Sequence, residues 1–481
     1  MAQVHPFHAY RYNSSQVSFD RVLTQPYDKI SPAMQEKYYA ADPHNLIAVE
    51  KGRVLPDDAE GRNVYTRAAE ALESWIRENI VVKDSEPSFY AYTQEYTVPG
   101  TEERRTRRGF IGAGKLEDYS AGVVFRHEYT LSGPKADRLE LLRNTRTHTG
   151  QLFMLYSDEQ RRVDAILEEA EGAAPPATEL RDEYGVVHRL WVVSDPAKVA
   201  AIQEAMAGQK LVIADGHHRY ETALTYRNER RNERSAAAGQ SSGATASAGS
   251  HAPGSREGAS SDCTSIDVAP GELAPYEFAT MTFVNTRSEG LTILPTHRVV
   301  ANVPDFSWPS MRRYMEPWFA AEEFPFADEG AKAEARRKFL QRLVEARELR
   351  AIGVYPTAQP GKQAYYVLTL RPGANLSLLL PGVSPLQREL DVVLLHEGIL
   401  EPALGITPQA VTAEKNLTYE REAVSALDAV DRGATQVAFL LNPCGVEQVV
   451  HIATSGEVMP QKSTDFYPKL LSGIAMYRVD C

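Results

Sequence analysis

The spacing of apolar residues predicts a helix and then a hairpin in the first quarter of the chain. From Val64 to Ile76, apolar side chains recur every three or four positions, which predicts a helix that ends near Ile80. Residues 89–98 have the apolar and aromatic content of a strand, and Pro99-Gly100 supplies a turn. Residues 104–116 are then expected to return as the second strand of the hairpin.

Strands and helices continue to alternate through the rest of the chain. Residues 186–193 are β-branched and aromatic like a strand, and Ser194-Asp195-Pro196 predicts a helix start with Asp195 as its cap. That helix is expected to reach Gly208 and to be followed by a short buried strand at 211–214. Strands are also predicted at 276–284 and 436–441, a hairpin at 350–355 and 364–370, and helices at 331–349, 391–400 and 419–430. These elements predict an α+β fold with mixed, mostly antiparallel sheets and helices.

One segment interrupts this alternation. From Ser235 to about Ser265 almost every residue is small, polar, glycine or proline. Such a segment cannot bury enough apolar surface to offset the entropy of ordering it. We therefore predict an N-terminal α+β region at 1–234, a disordered insertion at 235–272, and a C-terminal α+β region at 273–481 that completes the same family unit.

The charge balance limits the function. The 481 residues include 52 Lys and Arg against 64 Asp and Glu, a formal net charge of -12. An acidic chain disfavours binding to nucleic acid or to an anionic membrane, because such binding depends on neutralising phosphates. Three scattered cysteines are too few for a disulfide framework or a Cys-rich zinc site. Because the sequence has no signal peptide and no apolar run that could span a bilayer, we expect a cytoplasmic protein, with homo-oligomers left open.

The densest group of chemically useful residues follows a predicted buried strand. Asp215-Gly216-His217-His218-Arg219 lies where that strand ends and a helix is expected to begin. A helix N-terminus offers free N–H groups, glycine allows close approach, and Arg and His can donate to phosphate oxygens. This order predicts a phosphate-binding turn, with Asp215 available to hold a metal ion. The structural alternative is that Asp215 caps the helix and the histidines are ordinary surface residues.

Two other basic or glycine-rich runs are weaker signals. Residues 109–115 have the glycine and lysine spacing of a P-loop, but Leu116 stands where the metal-binding Ser or Thr belongs. The arginines between 104 and 108 alternate along a strand, which predicts a solvated hairpin face or a local phosphate contact.

Two resemblances bear on these residues. The turn resembles the phosphate-binding turn of the ParB/sulfiredoxin superfamily, although His217 stands where sulfiredoxins need a cysteine. Over nearly its whole length the chain is similar to the domain-of-unknown-function-1015 family, which resembles ParB-like kinases of free serine. Besides the turn, the similarity is carried by PFHAYRY (6–12), QPYDKIS (25–31), RRGFI (107–111), HEYTLSGPKADR (127–138), LPTHR (294–298) and MPQKSTDFYPK (459–469).

The resemblance implies a kinase that uses ATP or another nucleotide with Mg²⁺, and therefore a base, anion clamps and a carboxylate for the metal. The candidates for the catalytic base are Glu128, Asp28 and His127. The candidates for nucleotide contacts are Asp215, Gly216, His217, His218, Arg219, Lys462, Ser463 and Thr464, with Asp215 also as metal ligand. The candidates for substrate contacts are Lys135, Arg138, His297 and Arg298.

Each candidate has a structural alternative. Asp137 and Arg138 could cap and pair at the start of a helix, Asp28 could cap the helix after Ser31-Pro32, and residues 461–464 could form a solvated loop.

Three functions remain open on the sequence. The first is ATP-dependent phosphorylation of free serine or a similar small hydroxyl metabolite. The second is a ParB-like module that binds nucleotide or nucleic acid, as a nuclease or nucleotide hydrolase, which the net charge disfavours. The third is a binder of a phosphorylated metabolite that catalyses nothing.

Overall fold

The computed structural model describes residues 1–128, 132–242, 265–266, 273–357, 363–413 and 415–480. The chain divides into two compact units. Unit 1 contains residues 1–126, 130–292 and 468–481, and unit 2 contains residues 127–129 and 293–467. The chain therefore comes back to unit 1 after residue 467, through residues 468–480, which we name the returning segment.

Unit 1 contains the following strands and α-helices. Its strands are β1 Val4–His5, β2 Tyr10–Tyr12, β3 Val81–Lys83, β4 Phe89–Thr97, β5 Arg104–Lys115, β6 Val124–Phe125, β7 Thr147–His148, β8 Leu152–Tyr156, β9 Thr178–Arg181, β10 Val187–Val193, β11 Leu211–Asp215, β12 Phe278–Asn285 and, in the returning segment, β21 Tyr477–Arg478. Its helices are α1 Phe19–Val22, α2 Pro32–Ala41, α3 Ile47–Glu50, α4 Val64–Arg77, α5 Ser132–Thr145, α6 Arg162–Ala173, α7 Pro196–Met206 and α8 His217–Ser242.

The main sheet of unit 1 is mixed. The described residues give it nine strands in the order β6-β11-β8-β12-β5-β4-β10-β9, with β1 paired to β5. β6 with β11 and β8 with β12 are parallel pairs, and the other neighbours are antiparallel. Phe89, Phe110, Met154 and Phe283 from four of these strands lie in one buried core with Ile213. The strand β11, which leads to the candidate phosphate-binding turn, is thus fixed from both sides.

Local sequence explains several of these elements. Asn63 caps α4 by accepting from the backbone N–H groups of Tyr65 and Thr66 at 3.0 and 3.2 Å. Asp195 caps α7 by accepting from the N–H groups of residues 197 and 198, and Pro196 follows it. The predicted hairpin is confirmed, since β4 and β5 pair from Tyr90↔Ile111 to Thr97↔Arg104.

Unit 2 is also α+β. Its strands are β13 Thr292–Leu294, whose first residue still belongs to unit 1, β14 His297–Val300, β15 Phe319–Phe326, β16 Ile352–Pro356, β17 Gln363–Leu370, β18 Leu417–Glu420, β19 Val437–Leu441 and β20 Asp465–Tyr467. Its helices are α9 Trp308–Met315, α10 Glu329–Glu345, α11 Leu376–Leu379, α12 Asp391–Leu395, α13 Glu401–Leu404, α14 Pro408–Thr412, α15 Ala423–Asp431 and α16 Val446–Thr454, and a π-helical turn at His396–Leu400 joins α12 to α13.

The six-stranded sheet of unit 2 is antiparallel where the described residues pair, in the order β15-β17-β16-β19-β14-β18. Phe339 of α10 packs with Tyr365, Val367, Leu427 and Leu440 in a buried core against this sheet. The two units together confirm the α+β prediction with mixed, mostly antiparallel sheets. The predicted hairpin of β16 and β17 is confirmed as well, and its turn at 358–362 lies outside the described residues.

Three predictions differ from the structure. The units divide near Thr292 and not at the Ser/Gly/Ala-rich insertion, because β12 pairs with β5 and β8 of unit 1. α8 continues to Ser242, and Ser265 is buried and hydrogen-bonded to the backbone of His8 and Arg478, so these parts of the predicted disordered insertion are ordered. The rest of the insertion lies outside the described residues, apart from Ile266. The helix predicted from residue 419 was wrong at its start, since Tyr419 belongs to β18 and α15 begins at Ala423.

Within the described ranges, no helix combines the length and the apolar content needed to cross a lipid bilayer.

Candidate functional site

The candidate site of unit 1 starts at the sharp turn between β11 and α8. β11 ends at Asp215, Gly216 follows with φ of +96°, and α8 begins at His217. Only glycine adopts this backbone conformation without strain, so the turn needs the residue that the sequence provides. His217 is buried and His218 is half-buried. The first N–H groups of a long helix are therefore placed directly after a carboxylate.

Asp215 is held by two cations. Lys469 Nζ lies 3.0 Å from Oδ1, and Arg219 Nη2 lies 2.8 Å from Oδ2. Burial opposes ionisation of this side chain, which is 25% exposed, but the charges of Lys469 and then Arg219 outweigh burial. They hold the pKa of the Asp215 carboxyl well below its usual range, with a smaller attraction from Lys29. Two cations thus contact one carboxylate, one on each of its oxygens.

Arg219 is fixed in its position by the backbone around it. Its Nη1 donates to the Gln151 carbonyl at 2.5 Å while Nη2 binds Asp215. A Cβ atom on Gly216 would lie 3.1 Å from Nη2, and one on Gly150 would lie 3.2 Å from Nη1. The guanidinium therefore lies between two glycines that leave room for it.

A buried carboxylate, that of Glu50, also lies next to Gly150. It is 2% exposed, and its two oxygens accept from the hydroxyls of Thr149 at 2.5 Å and Ser472 at 3.1 Å. A Cβ atom on Gly150 would lie 3.7 Å from Glu50 Oε1, so Glu50 and Arg219 both face this glycine. The hydroxyls fix the orientation of the carboxylate.

Arg138 adds another cation to this region. Its Nη1 donates to the backbone carbonyl of Glu50 at 2.8 Å, and its guanidinium lies 4.3 Å from the centre of the Tyr27 ring. Burial raises the pKa of Tyr27 to about 12, while the charges of Arg219 and Arg138 act in the opposite direction. The negative charge of Asp28 also raises the pKa of Tyr27. Its carboxylate lies 4.0 Å from Lys29 Nζ. Residues 27–29, Arg138 and Arg219 are thus brought together in unit 1, a proximity that the sequence alone did not predict.

A cavity of about 50 Å³ lies among these residues, with room for a few atoms. Glu50, Arg138, His148, Arg219 and Thr222 are among the residues that line it. Burial lowers the pKa of His148 to about 4, so its ring is neutral at pH 7. Within the described part of the chain, the buried hydroxyl of Thr222 has no hydrogen-bond partner. The cavity therefore offers anionic, cationic and neutral polar groups to a small ligand.

A second polar cluster lies in unit 2. Glu128 Oε1 accepts from the Ser463 N–H at 3.1 Å and from the Thr464 hydroxyl at 3.4 Å. His127, which is fully buried, lies 2.8 Å from that hydroxyl through Nε2. Glu128 thus accepts from the backbone and a hydroxyl of residues 463–464, a contact that the sequence alone did not predict.

Arg298 and its neighbours form the other half of this cluster. The guanidinium is buried and donates to His396 Nε2 at 3.2 Å and to the Lys462 carbonyl at 3.1 Å. Burial lowers the pKa of Arg298 to about 10, and burial with the Arg298 charge lowers the pKa of His297 to about 4. The side chain of Lys462 is exposed and its φ is +57°. His297 and Arg298 are therefore buried, which leaves little of either side chain for a substrate.

The sequence candidates thus fall into two groups, one in each unit. Asp28, Lys135, Arg138 and the residues 215–219 belong to unit 1, and His127, Glu128, His297, Arg298 and the residues 462–464 belong to unit 2. Lys135 pairs with Glu221 at the start of α8. Asp137 and Arg138 pair as the structural alternative stated, but inside α5 rather than at a cap.

Sequence reasoning missed Glu50, and it named Lys469 only as a neighbour of another motif. Glu50 ends a short apolar run, and Lys469 is 254 residues from Asp215. The available signal for Glu50 was a single Glu directly after the apolar residues 47–49. Nothing local pointed from Lys469 to Asp215.

A magnesium ion at Asp215 does not fit this arrangement. Both carboxylate oxygens are bound to cations, whereas Mg²⁺ needs oxygen ligands. Among the described residues, no group of three or more His, Cys, Asp or Glu side chains could hold a metal ion.

The fold and the site together define an α+β protein of two units with a cation-rich turn at a helix N-terminus. Residues 4–393 match the model of the protein family of unknown function DUF1015. The chain therefore belongs to the DUF1015 family.

Solved structures give weaker likenesses. A free serine kinase in complex with AMP is 11% identical, with a TM-score of 0.33 over 74% of this chain and 88% of that one. A mutant of free serine kinase with ADP is 9% identical, with a TM-score of 0.33 over 74% of this chain and 89% of that one. A conserved hypothetical protein from Pyrococcus furiosus is 11% identical, with a TM-score of 0.31 over 74% and 92%. Likenesses this weak carry no argument, and a comparison with curated proteins gives no match.

Proposed function

We propose that this chain binds a nucleotide through its phosphates at the Asp215–Arg219 turn and transfers the terminal phosphoryl group to a small hydroxyl metabolite such as free serine. The observation that carries the proposal is the pair of contacts that Lys469 and Arg219 make with Asp215 at the N-terminus of α8. Two cations that share one carboxylate leave positive charge in excess. Phosphate oxygens take up such charge through hydrogen bonds from Lys, Arg and backbone N–H groups.

The two neighbouring glycines support the same role. Gly216 and Gly150 leave Arg219 without side-chain cover on two sides. A phosphate can approach the guanidinium and the first N–H groups of α8 closely there, since no Cβ atom intervenes. Arg138 supplies a further cation from α5.

The cavity beside Gly150 has room for the hydroxyl-bearing end of a small acceptor. In the transfer, the acceptor oxygen forms a bond to the terminal phosphorus while the bond from that phosphorus to the bridging oxygen breaks, and the nucleoside diphosphate leaves with the negative charge. The proton of the acceptor hydroxyl goes to a carboxylate, for which we propose Glu50, because it lines the cavity and faces Gly150 with Arg219. Asp28 is the other carboxylate of unit 1 that the sequence suggested, and the roles suggested for Glu128 and His127 stay predictions.

The first test is nucleotide binding. Calorimetry with ATP is expected to show binding by the wild type, and Arg219→Ala is expected to weaken it at least about thirtyfold, which is about 2 kcal/mol. Arg234→Ala is the matched control, because Arg234 is exposed on the same helix. It lies 15 residues further on, about 22 Å along the axis. If ATP does not bind the wild type, or if both variants bind equally well, the proposal is wrong.

The second test is turnover. With ATP as its magnesium complex and serine, phosphoserine is expected to form, and Glu50→Gln is expected to abolish its formation while nucleotide binding remains. Binding without turnover for serine and for a panel of small hydroxyl metabolites would favour the phosphometabolite binder. Salt-sensitive binding to DNA in a gel shift at two salt concentrations would favour the nucleic-acid module.

A further inference from the structure

A buried amide of unit 1, that of Gln94, contacts the backbone of Lys469. It is on β4 and is 1% exposed. Its Oε1 accepts from Arg107 Nε at 3.0 Å and from Arg107 Nη2, and its Nε2 donates to the Lys469 carbonyl at 2.7 Å. Nε2 also lies 3.4 Å from His188 Nδ1. Both the oxygen and the nitrogen of the buried amide thus have hydrogen-bond partners.

These partners determine which way the amide points. Arginine can only donate and a backbone carbonyl can only accept, so the oxygen must face Arg107 and the nitrogen must face Lys469. Burial lowers the pKa of Arg107 to about 10, and Gln94 supplies the acceptor that this buried cation needs. Gln94 therefore has two separable tasks, as an acceptor for Arg107 and as a donor to Lys469.

The donor task bears on the site, because the ammonium group of Lys469 lies 3.0 Å from Asp215 Oδ1. The start of the returning segment is held through three carbonyls, those of Pro468 by Arg107, Lys469 by Gln94 and Leu471 by Gln151. Gln151 also accepts from Arg219 through its own carbonyl. The backbone of Lys469 is therefore fixed by Gln94 directly, and its neighbour Leu471 is fixed by Gln151, whose carbonyl also binds Arg219 of the turn.

We propose that Gln94 is a positioning residue, which holds the Lys469 carbonyl so that the ammonium group reaches Asp215 and, on the proposed function, the nucleotide phosphates. Gln94 does not touch the phosphates itself. Arg107, which the sequence assigned to a solvated face or a phosphate contact, is the buried cation that locks the amide in this orientation.

A single substitution separates the two tasks. Gln94→Glu keeps an oxygen for Arg107 and adds an ion pair, but it replaces the donor to Lys469 with an oxygen that repels the carbonyl. We expect this variant to keep the melting temperature of the wild type within a few degrees. Acetylation of Lys469, followed by mass spectrometry, is expected to become roughly three- to tenfold faster, as the loss of one hydrogen bond would give.

The matched control is Gln203→Glu. Gln203 lies on α7, and its Nε2 likewise donates to a backbone carbonyl, that of Val4, at 3.0 Å. This variant is expected to leave the acetylation rate of Lys469 unchanged. Equal rates in the wild type and in Gln94→Glu would overturn the proposal, and so would equal acceleration in the control.

The acetylation result does not depend on nucleotide binding, so it decides the positioning role even if the proposed function fails. Where ATP binds, a double-mutant cycle adds a second readout. Gln94→Glu is expected to weaken ATP binding roughly three- to tenfold in the wild type and not in the Lys469→Ala background. An equal loss in both backgrounds would show that Gln94 does not act through Lys469.

Discussion

Substitution of Asp215 distinguishes most clearly whether the turn is an anion-binding site or a metal-binding site. In Asp215→Asn the shape of the side chain is kept and its charge is lost, so Lys469 Nζ and Arg219 Nη2, at 3.0 and 2.8 Å, lose their common counter-charge. Removing one partner of a buried ion pair costs about 3–5 kcal/mol. Because the carboxylate is 25% exposed, water screens part of this, and we expect a loss of about 2–3 kcal/mol in the free energy of unfolding.

Inorganic phosphate is expected to restore the free energy of unfolding that Asp215→Asn loses. A ligand at one hundred times its Kd stabilises the folded state by about 2.7 kcal/mol. The assay is urea unfolding at pH 7 with phosphate or with chloride at equal ionic strength. Phosphate is expected to stabilise Asp215→Asn more than the wild type, because no carboxylate then competes for the two cations.

Asp84→Asn is the matched control. Asp84 binds Arg11 through two bonds of 2.8 Å in unit 1, and it has no part in the contacts of Asp215 given above. This variant is expected to lose stability without a gain from phosphate. The reasoning is refuted if Asp215→Asn is as stable as the wild type, or if phosphate stabilises all three proteins equally. If magnesium stabilises the wild type and not Asp215→Asn, the metal role that the sequence suggested is correct instead.

Two further predictions concern the turn and the buried histidines. Gly216→Ala is expected to lower the free energy of unfolding by about 1–3 kcal/mol through its left-handed φ, and to weaken nucleotide binding by displacing Arg219. Gly185→Ala, with φ of +80° and no atom within 4 Å of the new Cβ, is expected to lose stability only. Equal nucleotide affinity in both variants would contradict this. Burial lowers the pKa of His148, of His297 and, to about 3, of His396, so the unfolded chain binds more protons below about pH 6.5. The contribution of the neutral rings to the free energy of unfolding is therefore fully present above that pH, and it is expected to fall from about pH 6.5 towards pH 4 in urea titrations. The fall is expected to be smaller in His148→Gln. A free energy of unfolding that does not change over this range would count against neutral buried rings.

The sequence predicts those parts of the fold that depend on neighbouring residues. α4, the β4–β5 hairpin and the Asp195 cap follow from periodicity, turn residues and caps within a few positions. The order of strands does not, because β8 lies beside β12 through pairing between residues more than 120 positions apart. The alanine-rich start of the insertion continues α8, since helix propensity and an existing helix outweigh the compositional signal there.

The candidate site shows the same division. Asp215 and Arg219 are four residues apart, so their contact is local and the turn could be predicted. Lys469 contacts Asp215 although most of unit 2 lies between them in the sequence. Arg107 has the sequence pattern of an exposed residue, and only the structure shows that Gln94 and Pro468 accept its hydrogen bonds. Long-range burial decides both cases, and a single sequence carries no record of it.

The late return of the chain to unit 1 orders the events of its synthesis. Residues 293–467 leave the ribosome before the returning segment does, so unit 2 can complete its own sheet while β7 still waits for β21. Lys469, Ser472 and the carbonyls that Gln94 and Gln151 hold are translated after almost everything else described for unit 1. A nascent chain halted before residue 468 therefore carries the turn and its helix but lacks the ammonium group on Asp215.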